Sequence, residues 1–214
     1  MVGVPLVRRA KRRHHAVPGM IHTVLEYARL GWASCPGAHP RREAGRACSC
    51  DRLGCPAPAA HPLSPAWRIQ ATTDTGLLTH WWQRDPEANI ILPTGRVFDV
   101  FDVPEAAGRT ALSAMDAAGF PLGPVAVNGD RVHFYVATRG APEDEDEWWT
   151  CHLDCDPETV ADTPGLRWHC RDSYVLAPPS RLVTGDTVSW LRPPQGRPLP
   201  DPLAVLEYLA DACA

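Results

Sequence analysis

The stretch Val97-Phe98-Asp99-Val100-Phe101-Asp102-Val103-Pro104-Glu105 (VFDVFDVPE) decides how the chain is read. Its apolar and β-branched residues describe a buried strand, and Pro104 stops it. Pro104 also suits the first turn of a helix, and Glu105 favours the positive end of that helix's dipole. The helix is predicted to run to about Ala118, with Gly119 ending it. Two aspartates ride into the stop. Buried carboxylates at a strand end commonly hold metal ions, but side chains alternate faces along a strand, so a shared ion needs acids spaced i, i+2. Asp99 and Asp102 are i, i+3 and are predicted to face opposite ways. The i+2 partner of Asp102 is Pro104, which has no ligand atom. Glu105 is one position late and would reach the site only if the chain kinks at Val103-Pro104.

Upstream of this strand lies another, Asn89–Leu92, joined to it through Pro93-Thr94-Gly95. Before that, Thr73-Asp74 caps a predicted helix Thr75–Arg84 carrying Trp81-Trp82. An amphipathic helix is predicted over 21–30, with Ile21, Leu25 and Ala28 on one face, Val24 beside them and Gly31 as its stop. Trp32–Ser34 is read as a short strand. Downstream, Pro124–Val127 and Arg131–Ala137 flank Asn128-Gly129, a strong hairpin signal. Trp148–Leu153, Tyr174–Ala177 (closed by Pro178-Pro179-Ser180) and Thr187–Leu191 are read as further strands, and Pro202–Ala212 as a final helix. Strands broken by helices, with an antiparallel hairpin, indicate an α+β fold.

The chain has 214 residues, enough for one well-cored domain or a domain with extensions, and no apolar run approaches the length of a membrane span. Arg8, Arg9, Lys11, Arg12 and Arg13 make residues 1–20 a basic tail, or upstream sequence preceding a start at Met20. The net charge is −4, and without those five cations the remainder carries about −9. An acidic body argues against tight non-specific nucleic-acid binding, which rests on Lys and Arg neutralising phosphates. The acidic run Glu143–Glu147 is read as a solvated loop. Eight cysteines and no secretory signal point to a reducing cytoplasm, where clustered thiols more often mean zinc than disulfides.

That clustering falls in residues 35–66, a loop rich in Pro, Gly, Cys and Ala with no sustained period. Such a loop needs its own glue or lacks fixed structure. Cys48, Cys50, Cys55 and His61 are the best tetrahedral zinc set, with Cys35 or His39 as substitutes. Four protein ligands leave no open coordination position, so a zinc ion there would be structural. The bland alternative is a loop with incidental thiols. Cys151, His152, Cys155 and His169 form a looser second group, adequately explained by buried thiols and a surface histidine.

Taken in order, GWASCP, ATTD, ANIILPTGRVFDVFDV, HFYV and SYVLAPPS resemble the N-terminal domain of bifunctional DNA primase/polymerases, the prim-pol branch of the archaeo-eukaryotic primase superfamily. The resemblance spans about residues 21–210. It implies an RRM-like antiparallel sheet joined to a small α/β subdomain, and nucleotidyl transfer from NTPs or dNTPs with two Mg²⁺ or Mn²⁺ ions. It casts Asp102 as the first metal-binding acid, with Glu105 the nearest replacement for the second. It places His133 on the incoming triphosphate, with Arg131 and Tyr135 on the same strand face. The family's Gly-Gly before that histidine is here Asp130-Arg131-Val132. The third acid falls near Arg167, and Asp172 stands where the family has glycine.

Two-metal transfer depends on charges that this pattern lacks. Three readings follow. The favoured one is a catalytically degenerate relative that binds nucleic acid or nucleotide, with single-stranded DNA as ligand, Trp81-Trp82 and Trp148-Trp149 as candidate stacking residues, and a separate helicase or replication protein as partner. The second is an active divergent primase-polymerase using Asp102, Glu105 and Asp172. The third is an interaction protein with no nucleotide role. No G-x4-G-K-[ST] phosphate loop occurs in the sequence, so unwinding would need another protein.

Overall fold

A computed structural model describes residues 19–41, 47–50, 52–138 and 165–213. The basic segment up to residue 18, the acidic run Glu143–Glu147, the expected strand Trp148–Leu153, and Cys151, His152 and Cys155 lie outside the described residues. Within them the order is α1 (Met20–Arg29), β1 (Cys35–Gly37), α2 (Trp67–Gln70), α3 (Thr75–Arg84), β2 (Asn89–Pro93), β3 (Phe98–Pro104), α4 (Glu105–Ala117), β4 (Val125–Asn128), β5 (Arg131–Ala137), β6 (Arg167–His169), β7 (Tyr174–Ala177), β8 (Ser189–Arg192) and α5 (Pro202–Cys213). The fold is α+β with two antiparallel sheets, a small one ordered β1-β2-β7 and a larger one ordered β6-β3-β5-β4-β8. No helix among the described residues is long and apolar enough to cross a membrane.

Local chemistry explains most boundaries. The Asp74 carboxylate accepts the Leu77 N–H at 2.8 Å and starts α3, as an N-cap should. Gly129 turns the β4–β5 hairpin at φ +63°, a conformation that glycine adopts without a Cβ penalty. Pro104 ends β3 and caps α4 rather than entering it. The first strand is Cys35–Gly37, not Trp32–Ser34, because Trp32 turns inward and stacks between Tyr27 and Tyr135. Along α1 the fully buried positions are Val24 and Tyr27, while Ile21, Leu25 and Ala28 only flank the core.

Alternation on β3 and β5 builds two cores. Phe101, Val103, Val132, Phe134 and Val136 pack against α4 and α5. Phe98, Val100 and Tyr135 face the other way, into a layer shared with Trp32, α1, α3 and the inner face of the small sheet. The Pro93-Thr94-Gly95 connection therefore passes the chain from one sheet to the other instead of closing a hairpin. The motif residues Asn89 and Ser180 are structural: Asn89 Nδ2 donates to Ala59 O and Arg181 O, and Ser180 Oγ accepts the Ile90 N–H at 2.9 Å.

Candidate functional site

Asp102 sits on the Phe98–Val100 face of β3 and is only 4% exposed. Cross-strand register gives it His133 on β5 and Arg167 on β6 as direct neighbours. Arg131 Nε donates to its Oδ1 at 2.6 Å, and an Arg131 Nη donates to the Asp102 carbonyl at 2.9 Å. Oδ2 faces His169 Nε2 at 3.5 Å and an Arg167 guanidinium nitrogen at 3.7 Å, while His133 Nε2 lies 3.7 Å from Oδ1. Arg131 also donates to Gly165 O, which fixes its fork. Burial pushes the Asp102 carboxyl up, but His169, His133 and Arg131 outweigh it and hold it at about 2. Burial drives His133 down to about 4, against the pull of Asp102 and with the push of His169 and the two arginines. At neutral pH the cluster is therefore a carboxylate held by two guanidiniums, with a neutral buried His133.

Other acids of the sequence reading lie elsewhere. Asp99 is buried on the opposite, helix-covered face with Phe101 and Val103, as alternation requires. Glu105 opens α4 and turns outward, where Arg109 Nε donates to it at 2.8 Å. Asp172 is exposed, stands at φ +66° in the left-handed region where glycine is the easier residue, and lies 3.6 Å from Arg68. On β5, Arg131, His133 and Tyr135 do share a face, but Tyr135 is 1% exposed and stacks on Trp32 with centroids 5.5 Å apart, so its ring has no surface for a ligand. Trp82 is likewise sealed in the core, donating to Ala88 O at 2.9 Å, and Trp81 is the half-buried member of that pair.

Sequence reasoning missed β6. Its three residues, RWH, have a polar residue at each end, and only the pairing of Trp168 opposite Phe101 reveals a strand. The signal that could have found it is the alternation Leu166, Trp168, Cys170, each of which packs toward the α4/α5 core.

The structure brings together Cys48, Cys50, Cys55 and His61, whose ligand atoms all lie within 4.8 Å of one another. Among the described residues this is the group that could hold a metal ion. Cys48 Sγ and His61 Nε2 are 3.5 Å apart. Tetrahedral zinc, with bonds of about 2.3 Å to sulfur and 2.0 Å to nitrogen, needs an S···N edge of about 3.5 Å, so the spacing is consistent with zinc. His61 Nδ1 pairs with the Pro62 carbonyl at 2.8 Å, which assigns the proton to Nδ1 and leaves the Nε2 lone pair for an ion. The Ala59 N–H donates to Cys48 Sγ at 3.2 Å and holds that sulfur in place. The two substitute ligands are committed elsewhere. Cys35 is buried against Ile91 and Leu176, and burial lifts its thiol to about 12. His39 Nε2 lies 3.6 Å from Asp85.

The α+β chain thus carries a buried acid, Asp102, on a strand of its larger antiparallel sheet and, on a separate loop, a Cys/His group that could hold a metal ion. The family model for the bifunctional DNA primase/polymerase N-terminal domain, Prim-Pol, matches residues 24–204, and the chain belongs to that family. No curated protein matches the chain at significant similarity.

Proposed function

We propose that this Prim-Pol domain has lost the two-metal centre and acts in replication by binding nucleic acid or nucleotide, with a structural zinc ion held by Cys48, Cys50, Cys55 and His61. One observation carries the reading: both oxygens of Asp102 are occupied by cationic or imidazole neighbours, with Arg131 Nε at 2.6 Å and Arg167 at the cross-strand position. A divalent ion entering there would have to displace two guanidiniums and would meet their repulsion. The residues present do not fit Mg²⁺ or Mn²⁺. The remaining acids do not compensate, since Glu105 pairs with Arg109 and Asp99 faces the other core. The five-stranded sheet backed by α4 and α5 supports an RRM-like reading of the larger unit, and the small sheet with α1 and α3 supports the smaller subdomain. A separate helicase or other replication protein is the expected partner.

The test is primer extension and de novo priming on single-stranded DNA, with NTPs and with dNTPs, in Mg²⁺ and then Mn²⁺, beside Asp102→Ala. No product is expected from zinc-replete protein. Metal-dependent product that disappears in Asp102→Ala would overturn the degenerate reading. Absence of any salt-dependent binding to DNA or nucleotide would overturn the binding role and leave an interaction protein.

A further inference from the structure

The chain is acidic overall, yet its described cations are not evenly spread. Two adjoining cavities, of about 310 and 620 Å³, share Trp67 as a common wall. Their linings contain Arg52, Arg68, Arg96 and Arg171, and Asp172 is the one acid among the described lining residues. Arg109, Arg181 and Arg192 each have a carboxylate oxygen within 3.2 Å. In these cavities only Arg68 has an ion pair among the described residues, a loose one to Asp172 at 3.6 Å.

The backbone has been brought into close contact to assemble this surface. Gly95 stands at φ +77°, and a Cβ there would lie 2.2 Å from Arg171 Cα. Thr94 ties the same turn down, donating its backbone N–H to Ser173 O (3.0 Å) and its hydroxyl to Cys170 O (2.5 Å). Arg96 reaches across to donate to the Arg68 carbonyl. Three arginines from α2, the β2–β3 connection and the β6–β7 turn thus converge on one pocket. The Arg68 guanidinium lies 5.3 Å over the Trp67 ring, and Trp67 meets Tyr174 edge-on at 5.1 Å, leaving two half-buried aromatics between the arginine pocket and the Cys/His loop.

We infer that this surface binds single-stranded nucleic acid, with Arg68, Arg96 and Arg171 receiving backbone phosphates and the Trp67–Tyr174 ridge receiving bases; the inference rests on the nucleic-acid reading above and gives it a location. Convergent exposed guanidiniums match phosphate geometry, and aromatic surface beside a cationic groove is how single strands are held without sequence preference. The pocket lies at the Phe98 end of β3, about 13 Å along the strand from Asp102. It is therefore independent of the blocked carboxylate centre.

Fluorescence anisotropy of 5′-fluorescein dT20 with the full chain, titrated from low to moderate salt, tests it. Wild-type binding should weaken with salt. Arg68→Ala/Arg96→Ala/Arg171→Ala should bind at least about ten-fold more weakly and flatten the log–log salt slope by about 2, since each lost phosphate contact on a single strand removes about 0.7. The single reversal Arg171→Glu, at an exposed side chain, should weaken binding in the same direction with an unchanged melting temperature. Arg29→Ala/Arg109→Ala/Arg192→Ala removes the same charge away from the cavities and should bind as wild type. Equal loss in that control, or wild-type binding by both site variants, overturns the location while leaving the nucleic-acid reading intact. Displacement of dT20 by dTTP at equal phosphate concentration assigns the pocket to mononucleotides and overturns the strand assignment. No binding by wild type overturns both.

Discussion

Replacing Asp102 by asparagine keeps the shape of the side chain and removes its charge. In a metal centre built from carboxylates, that change relieves repulsion in the metal-free protein, so stability should hold or rise. Here the charge is the counter-ion of Arg131, whose side chain is 16% exposed, and of the half-exposed Arg167. A folded carboxyl held at about 2 rather than 3.8 corresponds to about 2 kcal/mol of stabilisation of the native state. Removing one partner of a largely buried pair costs about 3–5 kcal/mol, and the exposure of Arg167 discounts its share. We therefore expect Asp102→Asn to lose about 2–4 kcal/mol at neutral pH. For a domain of this size that lowers the melting temperature by about 5–15 °C. The pH dependence has a definite sign. Because the folded value lies below the unfolded one, the contribution is complete above pH about 4 and is lost as pH falls through about 2, so the gap between wild type and variant should be flat near neutrality and close in acid. Urea denaturation at several pH values measures it. An asparagine variant as stable as wild type, or more so, would refute the ion-pair account and return Asp102 to the role of a metal ligand.

Other perturbations report on separate parts of the structure. His133, buried and held at about 4, binds its proton less readily folded than unfolded, so its contribution of about 3 kcal/mol is complete above pH about 6.5 and lost as pH falls toward 4; His133→Gln should flatten the stability profile in that window, and an unchanged profile would contradict it. Protein produced with zinc should carry one ion per chain by elemental analysis, and chelation or Cys48→Ser should lower the melting temperature by about 5 °C or more and expose residues 47–62 to protease; metal-free protein with the same melting temperature would count against the site. Gly95→Ala should cost about 2–4 kcal/mol in urea because its Cβ meets Arg171 backbone at 2.2 Å, whereas Gly129→Ala, with its nearest neighbour at 3.4 Å, should cost about 1 kcal/mol from backbone conformation alone; equal losses would show that the close approach is unimportant.

Elements whose signal is local were legible in the sequence. The Asp74 cap, the Asn128-Gly129 hairpin and strand Tyr174–Ala177 are each set by residues within one turn or one ladder, and all three stand within a residue of their expected limits. The four-member Cys/His cluster was legible for a related reason: thiolate and imidazole types with few alternatives fall within a span of 14 residues, from Cys48 to His61, in a loop with no competing core. β1 was displaced because Trp32, which looks like a strand residue, is claimed by the core between Tyr27 and Tyr135. The four-residue α2 carries no periodicity to detect.

The environment of Asp102 was legible only in part, and the reason is register. Alternation along β3 settles which face Asp102 takes, and the nearby Pro104 shows what its i+2 neighbour cannot do, but neither says what stands across the ladder. Arg167 and His133 are 65 and 31 residues away in sequence and become direct neighbours only through the β6-β3-β5 order. Once that order is known, the charge count decides the chemistry. A carboxylate between two guanidiniums is neutralised with one positive charge to spare, so the position that could draw a cation into the centre repels one. The same excess at the Asp102 cluster draws an anion less well than free cations do, since Arg131 is engaged by Asp102 and Gly165 and the half-exposed Arg167 faces the Asp102 carboxylate. A phosphate-bearing ligand is left to arginines with exposed side chains, and three of those, Arg68, Arg96 and Arg171, line one cavity beside Gly95 and Trp67.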